Sequence, residues 1–232
     1  MKEQIKNSCK KLRLGKIIVE KYKDIKADTN EEFLAKLLEI ALEERKINRI
    51  NRLLKQANFD MLKTFENYSF SEIKIPSTID IENLKNTKFI NKKENLILYG
   101  GVGTGKTHLA TAIGVSACNK SKKVKFYRTA ELVNELIEAK KSGELPKYMK
   151  MINKIDLLIC DEWGYIPFDT QGGQLLFQVI ANCYEKRSVI ITTNIEFGKW
   201  NGIFYDEKLT SAIIDRLAHH SHLLMFTGRS YR

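Results

Sequence analysis

The sequence predicts an α/β protein, a three-layer sandwich around a five-stranded parallel sheet, preceded by a small all-helical N-terminal domain. From residue 95 onward, short apolar runs typical of buried strands alternate with helix-periodic segments. A glycine-rich loop joins the first of these runs to the helix that follows it. Before residue 58, apolar side chains recur instead at helical spacing. These observations together predict the fold class.

We expect three segments along the chain. Residues 1–58 form the helical N-terminal domain, 59–94 a linker into the core, and 95–232 the α/β domain. In the first segment, Thr29 stands three residues before Glu32, which is a capping box and predicts the start of a helix. Further on, apolar runs predict the strands at residues 95–99, 124–127, 155–160, 188–194 and 223–226.

The composition favours a polyanionic partner. The chain has 39 Lys and Arg against 28 Asp and Glu, a formal net charge of +11. Nucleic acid fits this balance best, because basic side chains that neutralise phosphates release bound counterions. The alternative is a general preference for lysine in an organism with a low-GC genome. No apolar run reaches membrane-spanning length and the chain opens on charged residues, so we expect a cytoplasmic protein without membrane contact.

Cysteine and histidine give no sign of a structural metal. The four cysteines are scattered without a Cys-x-x-Cys pair, which favours reduced thiols. The histidines at 219, 220 and 222 have no acidic or cysteine partner at a matching sequence spacing. A surface or structural role is therefore favoured for them over metal ligation.

Residues Gly100–Thr107 read GGVGTGKT and match the phosphate-binding pattern Gly-x4-Gly-Lys-Ser/Thr. Glycines let backbone N–H groups surround phosphate oxygens, and the helix that follows adds its N-terminal dipole. Lys106 would contact the β- and γ-phosphates of ATP, and the Thr107 hydroxyl would ligate Mg²⁺. The residues expected to contact the nucleotide are Gly101, Val102, Gly103, Thr104, Gly105, Lys106, Thr107 and His108.

Two further strands end in polar residues that suit phosphoryl transfer. The run from residue 155 ends in Asp161 and Glu162, a Walker B pattern. Asp161 would complete the Mg²⁺ shell, and Glu162 would orient or deprotonate the attacking water. Asn194 follows the next strand, and ligands of parallel sheets collect at these carboxyl ends. A neighbouring cation is also needed, and Arg216 and Arg232 are the candidates.

A basic stripe follows the apolar part of the N-terminal helix. Its arginines are spaced by four and three residues and so share one face. From spacing alone, phosphate contact and a solvated face paired with neighbouring glutamates are equally favoured. The stripe and its flanking lysines are Arg45, Lys46, Arg49, Arg52 and Lys55.

The motifs together resemble a family. The ordered set of P-loop, LLICDEWGY, IITTN and DRL is similar to AAA+ ATPases of the initiator and helicase-loader branch. GTGKTHLA from Gly103, DEWGYIP from Asp161, AIIDRLAHH from Ala212 and the terminal GRSYR narrow the resemblance to IstB-like helpers of insertion-sequence transposition. A similar helical segment from Glu43 to Phe59 extends it over nearly the whole chain.

The resemblance implies roles for three residues. Asn194 matches sensor 1, Arg216 the arginine finger that acts on a neighbouring subunit's nucleotide, and Arg232 the sensor 2 arginine. It also implies an Mg²⁺-dependent ATPase that forms a ring or helical homo-oligomer on duplex DNA and stimulates a partner transposase. The basic stripe then becomes the expected DNA-binding surface.

Two alternatives differ in the job that the ATPase performs. A DnaC-like helicase loader would share the P-loop, Walker B and terminal Ser-x-Arg patterns, but would act on single strands and a helicase. A small-molecule kinase would need a lid and an acceptor pocket, and neither can be identified in the sequence. The DEWGYIP and terminal segments favour the transposition helper.

Overall fold

A computed structural model describes residues 1–165 and 167–230. The chain divides into two compact units, Met1–Arg52 and Leu53–Arg232. The predicted functional division into residues 1–58, 59–94 and 95–232 stays a prediction. Over the described ranges, every helix is too short or too polar to cross a membrane.

Helices and strands alternate through most of the second unit. The strands are β1 (Ile73–Lys74), β2 (Asn95–Gly100), β3 (Val124–Arg128), β4 (Leu157–Asp161), β5 (Ser188–Thr193) and β6 (Ser221–Phe226). The helices are α1 (Lys2–Lys11), α2 (Lys16–Lys21), α3 (Asn30–Ala57), α4 (Ile81–Asn86), α5 (Lys88–Lys92), α6 (Lys106–Asn119), α7 (Thr129–Lys141), α8 (Leu145–Ile152), α9 (Thr170–Cys183), α10 (Asn201–Phe204) and α11 (Glu207–Ala218). A short 3₁₀ turn, Phe197–Lys199, precedes α10.

The first unit is helical, as predicted, and α3 begins at the predicted capping box. The Glu32 N–H donates to the Thr29 hydroxyl at 3.1 Å, while the Glu32 carboxylate accepts from the Asp28 N–H at 2.8 Å. The bond to Thr29 satisfies an N–H group that the first turn of a helix leaves free, and the bond from Asp28 joins the preceding residue to the helix. The small core of this unit is built around Cys9, Ile18 and Ala41.

The sheet of the second unit has the strand order β1-β6-β2-β5-β4-β3. Strands β2 to β6 run parallel, which confirms the predicted five-stranded parallel sheet. The structure adds β1, which pairs antiparallel with the outer edge of β6. A strand of two residues is too short to give the alternating pattern by which strands are recognised in sequence.

Both faces of the sheet are covered, and in the strands β3, β4 and β5 successive residues enter different cores. In β4, Leu157 and Ile159 join the core that contains α6, whereas Leu158 and Cys160 join the core that contains α9 and α11. This is the arrangement expected for a buried parallel sheet. It explains why the strands read as continuous apolar runs.

Helix α6 packs closely on the sheet at Gly114. A Cβ atom on Gly114 would lie 2.8 Å from the Phe59 ring and 2.9 Å from Cδ1 of Ile159. Both distances are shorter than normal contacts, so a side chain here forces its neighbours to move. Gly202 in α10 offers a contrast, because nothing lies within 4 Å of the corresponding position.

We therefore expect Gly114→Ala to lower the free energy of unfolding by about 1–2 kcal/mol, since overpacking outweighs the helix propensity that alanine gains. The matched control, Gly202→Ala, should leave stability unchanged or raise it by up to about 1 kcal/mol. Urea denaturation followed by circular dichroism measures both. Equal effects of the two substitutions would show that α6 has room to shift.

Candidate functional site

The glycine-rich loop joins β2 to α6 at the carboxyl edge of the sheet. Gly105 is the N-cap of α6 and has a φ of 93°, a conformation that residues with a side chain rarely adopt. The buried Thr104 closes the loop, because its hydroxyl donates to the carbonyl of Gly101 at 2.8 Å. A helix N-terminus that opens from such a loop is suited to bind an anion.

The side chain of Lys106 is held against the loop by two of the loop's backbone carbonyls. Its Nζ donates to the carbonyl of Gly100 at 2.8 Å and to that of Gly101 at 2.6 Å. These bonds keep the ammonium group beside the loop. The lysine is thus placed where a phosphate bound by the loop would meet a positive charge.

Asp161, at the end of β4, connects the loop helix to the next strand. Its carboxylate accepts from the Thr107 hydroxyl at 2.9 and 3.0 Å and from the Thr192 hydroxyl at 2.5 Å. Asp161 is 3% exposed, and burial raises its pKa, whereas the hydrogen bonds from both hydroxyls and the charge of Lys106 oppose that rise.

The residues around Asp161 fit a magnesium ion. A hydroxyl and a carboxylate are oxygen donors of the kind that Mg²⁺ prefers. Burial also penalises the negative charge of the carboxylate, so a cation beside Asp161 would be favoured. Thr107 and Asp161 are in direct contact, as expected if both serve one ion.

Glu162 is turned toward solvent by an unusual backbone conformation. Its φ is 56°, and its N–H donates to the Thr192 hydroxyl oxygen at 3.0 Å. The next residue, Trp163, is fully buried and donates its N–H to the carbonyl of Thr192 at 2.8 Å. The adjacent side chains therefore point in opposite senses, the indole into the core and the carboxylate outward.

The structure brings six predicted site residues to one pocket. Val102 and Gly103 line it from the loop, Lys106 and Thr107 from α6, Glu162 from the end of β4, and Asn194 from the end of β5. The remaining lining residues are Tyr165, Thr192 and Thr193. Residues separated by almost ninety positions along the sequence thus meet at the carboxyl ends of three neighbouring strands.

A second pocket borders the loop at three residues that the sequence predicts to contact the nucleotide. Tyr68 lines it together with Thr104, Gly105 and His108. The Tyr68 hydroxyl donates to the carbonyl of Gly105 at 3.3 Å, and its ring lies 4.9 Å from the His108 imidazole. No sequence motif singles out Tyr68, because Thr104, Gly105 and His108 lie far from it along the chain.

Arg216 lies away from the pocket of its own chain. Its guanidinium stacks over the Phe177 ring at 4.8 Å and donates to the carbonyl of Ala212 at 3.0 Å. In the described part of the chain, Arg216 lines none of the pockets around the loop. The structure therefore leaves this predicted residue on a separate surface.

The chain returns to the loop after β6. A Cβ atom on Gly103 would lie 2.2 Å from the Ser230 hydroxyl oxygen, so Ser230 covers the loop at this glycine. The Thr227 N–H also donates to the carbonyl of Glu72 at 2.9 Å. Arg232, the predicted sensor 2 residue, lies outside the described residues.

The predicted DNA-binding residues all lie on α3 and are exposed. They are Arg45, Lys46, Arg49, Arg52 and Lys55. Arg45 donates to the carbonyl of Arg13 at 2.9 Å, and Lys46 pairs with Glu43 at 3.8 Å. At such exposure a single ion pair contributes little to stability. The stripe is therefore accessible to a partner.

Comparison with known proteins identifies the family. The model of the IstB-like ATP binding proteins matches residues 9–232. An ATP-binding protein of insertion sequence IS5376 from Geobacillus stearothermophilus is 37% identical over 238 residues, which cover 100% of this chain and 94% of that protein.

Solved structures match at the level of the fold. A replication initiator DnaA bound to AMPPCP and single-stranded DNA has a TM-score of 0.58 at 22% identity, over 72% of this chain and 51% of the DnaA chain. The chain thus spans about half of that DnaA. The DnaC helicase loader has a TM-score of 0.51 at 20% identity, over 65% and 94% of the two chains. From the family match and the relative's identity, this chain belongs to the IstB-like ATP-binding proteins.

Proposed function

We propose that this protein is an Mg²⁺-dependent ATPase that assembles on duplex DNA and assists a partner transposase in insertion-sequence transposition. The observation that carries the proposal is the pocket shared by Lys106, Thr107, Glu162 and Asn194. The insertion-sequence origin of its relative supports the link to transposition. As a DNA-bound protein, it would work in the cytoplasm.

Different residues of the pocket would perform different parts of the reaction. Residues 101–108 would hold the phosphates of ATP, and the Lys106 ammonium would neutralise the β- and γ-phosphate oxygens. Mg²⁺, held by Thr107 and Asp161, would add charge neutralisation when bound. Glu162 would accept a proton from the water that attacks the γ-phosphorus, while Asn194 would help to position that water. The products are ADP and inorganic phosphate.

No observation in this structure favours a helicase loader over a transposition helper. The likeness to DnaC concerns the fold alone, at 20% identity. The relative with the greater identity comes from an insertion sequence. A transposition helper is therefore the function that we put forward.

Binding and hydrolysis should separate in two variants. Lys106→Ala should lose ATP binding, because the loop then lacks its cation. Glu162→Gln should keep ATP binding and lose hydrolysis by about 10²-fold or more, since the amide cannot accept a proton. Fluorescent-nucleotide titration and phosphate release measure the two steps. The control Glu196→Gln changes an exposed glutamate in the loop after β5 and should leave both steps intact.

The same variants test the link to transposition. In a reaction with the transposase encoded beside this protein, the wild type should raise strand transfer, and Lys106→Ala should not. Strand transfer that proceeds equally with wild type and Lys106→Ala would separate ATP binding from any helper role. Turnover unchanged in Glu162→Gln would remove Glu162 from the mechanism.

Arg216 is proposed to act on the nucleotide of a neighbouring copy, since it lies on a separate surface of its own chain. Arg216→Ala and Glu162→Gln should each be inactive alone, but a mixture should regain part of the wild-type turnover. In the mixture, some interfaces combine an intact arginine with an intact glutamate.

The matched control mixes Arg216→Ala with the double variant Arg216→Ala/Glu162→Gln, in which no subunit offers the arginine. That mixture should stay inactive. Equal turnover in the two mixtures, measured as phosphate release at fixed total protein, would count against action between subunits.

DNA binding by the α3 stripe should depend on salt. The double variant Arg49→Ala/Arg52→Ala should reduce the slope of log K against log salt by about two on duplex DNA, because each lost phosphate contact contributes about 0.9. Arg45 is kept, since it also bonds to Arg13. Fluorescence anisotropy over a salt series measures the slope.

A charge-matched control, Lys10→Ala/Lys11→Ala in α1, should leave the slope nearly unchanged. Identical slopes for the stripe variant and the wild type would move the DNA contact elsewhere. A clear preference for single-stranded over duplex DNA would favour a helicase loader instead.

A further inference from the structure

Three side chains with metal-binding atoms meet on a surface remote from the ATP pocket. Glu185 follows the end of α9, while His219 and His220 form the turn between α11 and β6. One candidate ligand atom from each residue lies within 4.8 Å of the others, and all three side chains are exposed. The His220 Nε2 is 3.6 Å from the Glu185 carboxylate.

The two imidazoles are held side by side by aromatic contacts. Their ring centroids are 4.3 Å apart in an edge-to-face arrangement. Tyr184, the residue before Glu185, lies near both rings, and its hydroxyl is 3.1 Å from the His219 Nδ1. Because the hydrogen bond engages Nδ1 of His219, Nε2 is the ring nitrogen that would bind a metal. In known metal sites, a hydrogen bond at the other ring nitrogen likewise orients the ligating histidine.

From this geometry we propose that Glu185, His219 and His220 form a binding site for a divalent transition metal of the Zn²⁺ class. Two imidazoles and one carboxylate are a common protein donor set for zinc, with water in the fourth position. Zinc bonds of about 2.0–2.2 Å need the ligand atoms closer than they lie here. Because all three side chains are exposed, small rotations can bring them together.

The donor set distinguishes this site from the magnesium site. Thr107 and Asp161 offer oxygen atoms alone, which suit Mg²⁺. Imidazole nitrogen instead favours later first-row metals. The two sites should therefore select different ions from a mixture.

An ion bound at this site would connect two helices. It would join the end of α9 to the end of α11, the two helices that carry Phe177 and Arg216. The guanidinium of Arg216 stacks on that phenylalanine ring. A bound ion would restrain the two helix ends and so stabilise the surface that presents the arginine. Zn²⁺ binding at this surface does not depend on ATP hydrolysis, so a chain without ATPase activity should still bind the ion.

The test is titration of the full chain, without a histidine tag and without nucleotide, with Zn²⁺ alone against a chromogenic chelator. One equivalent should bind, and binding should persist in excess Mg²⁺. Glu185→Gln and His220→Gln should each weaken it by at least about ten-fold, since even outer-shell changes cost that much. The wild type should also gain thermal stability with Zn²⁺, because the ion binds the folded state.

The matched control is Glu207→Gln, which changes an exposed glutamate at the opposite end of α11 and should leave Zn²⁺ affinity intact. Circular dichroism checks that each variant is folded, and the exposure of all three ligands makes misfolding of both variants unexpected. No binding by the wild type would overturn the proposal. So would Zn²⁺ binding by Glu185→Gln and His220→Gln as strong as that of the wild type, which would point to other donors such as the buried cysteines.

Discussion

The buried carboxylate of Asp161 is the interaction on which the rest of the site depends. Hydroxyl groups from Thr107 in α6 and Thr192 in β5 donate to it, and the Thr129 hydroxyl at the start of α7 donates to its backbone carbonyl at 2.7 Å. Burial raises the pKa of this carboxyl, and the hydrogen bonds from the two threonines oppose that rise. Hydrogen bonds to this one residue thereby join β4 to α6, β5 and α7.

Thr192 extends the same network to Glu162. Its hydroxyl donates to Asp161 and accepts from the Glu162 N–H, and its carbonyl accepts from the N–H of Trp163. The left-handed backbone at Glu162 costs about 1–3 kcal/mol. Burial of Trp163, whose ring lies 5.5 Å from that of Trp200, offsets this cost. Core packing behind the turn thus holds the glutamate in the pocket.

Most of this site could be predicted from sequence because its signals are local. A glycine loop between a strand and a helix, or a buried strand that ends in Asp161 and Glu162, has a pattern that short stretches carry by themselves. Parallel topology then brings the strand ends together. Tyr68, Ser230 and Glu185 could not be placed in this way, because their neighbours are distant in sequence and are set by packing alone.

The charge of the pocket is consistent with the proposal that hydrolysis involves a second copy of the chain. Among the described residues that line it, Lys106 carries the only positive charge, and two loop carbonyls already accept from that lysine. In phosphoryl transfer at a P-loop, an arginine can add positive charge at the γ-phosphate beyond that of the lysine and a bound Mg²⁺. Arg216 stacks over Phe177 on another surface and is the residue proposed to act on a neighbour's nucleotide. Hydrolysis that depends on such a donor would occur only in the assembled state, which would couple ATP turnover to assembly on DNA.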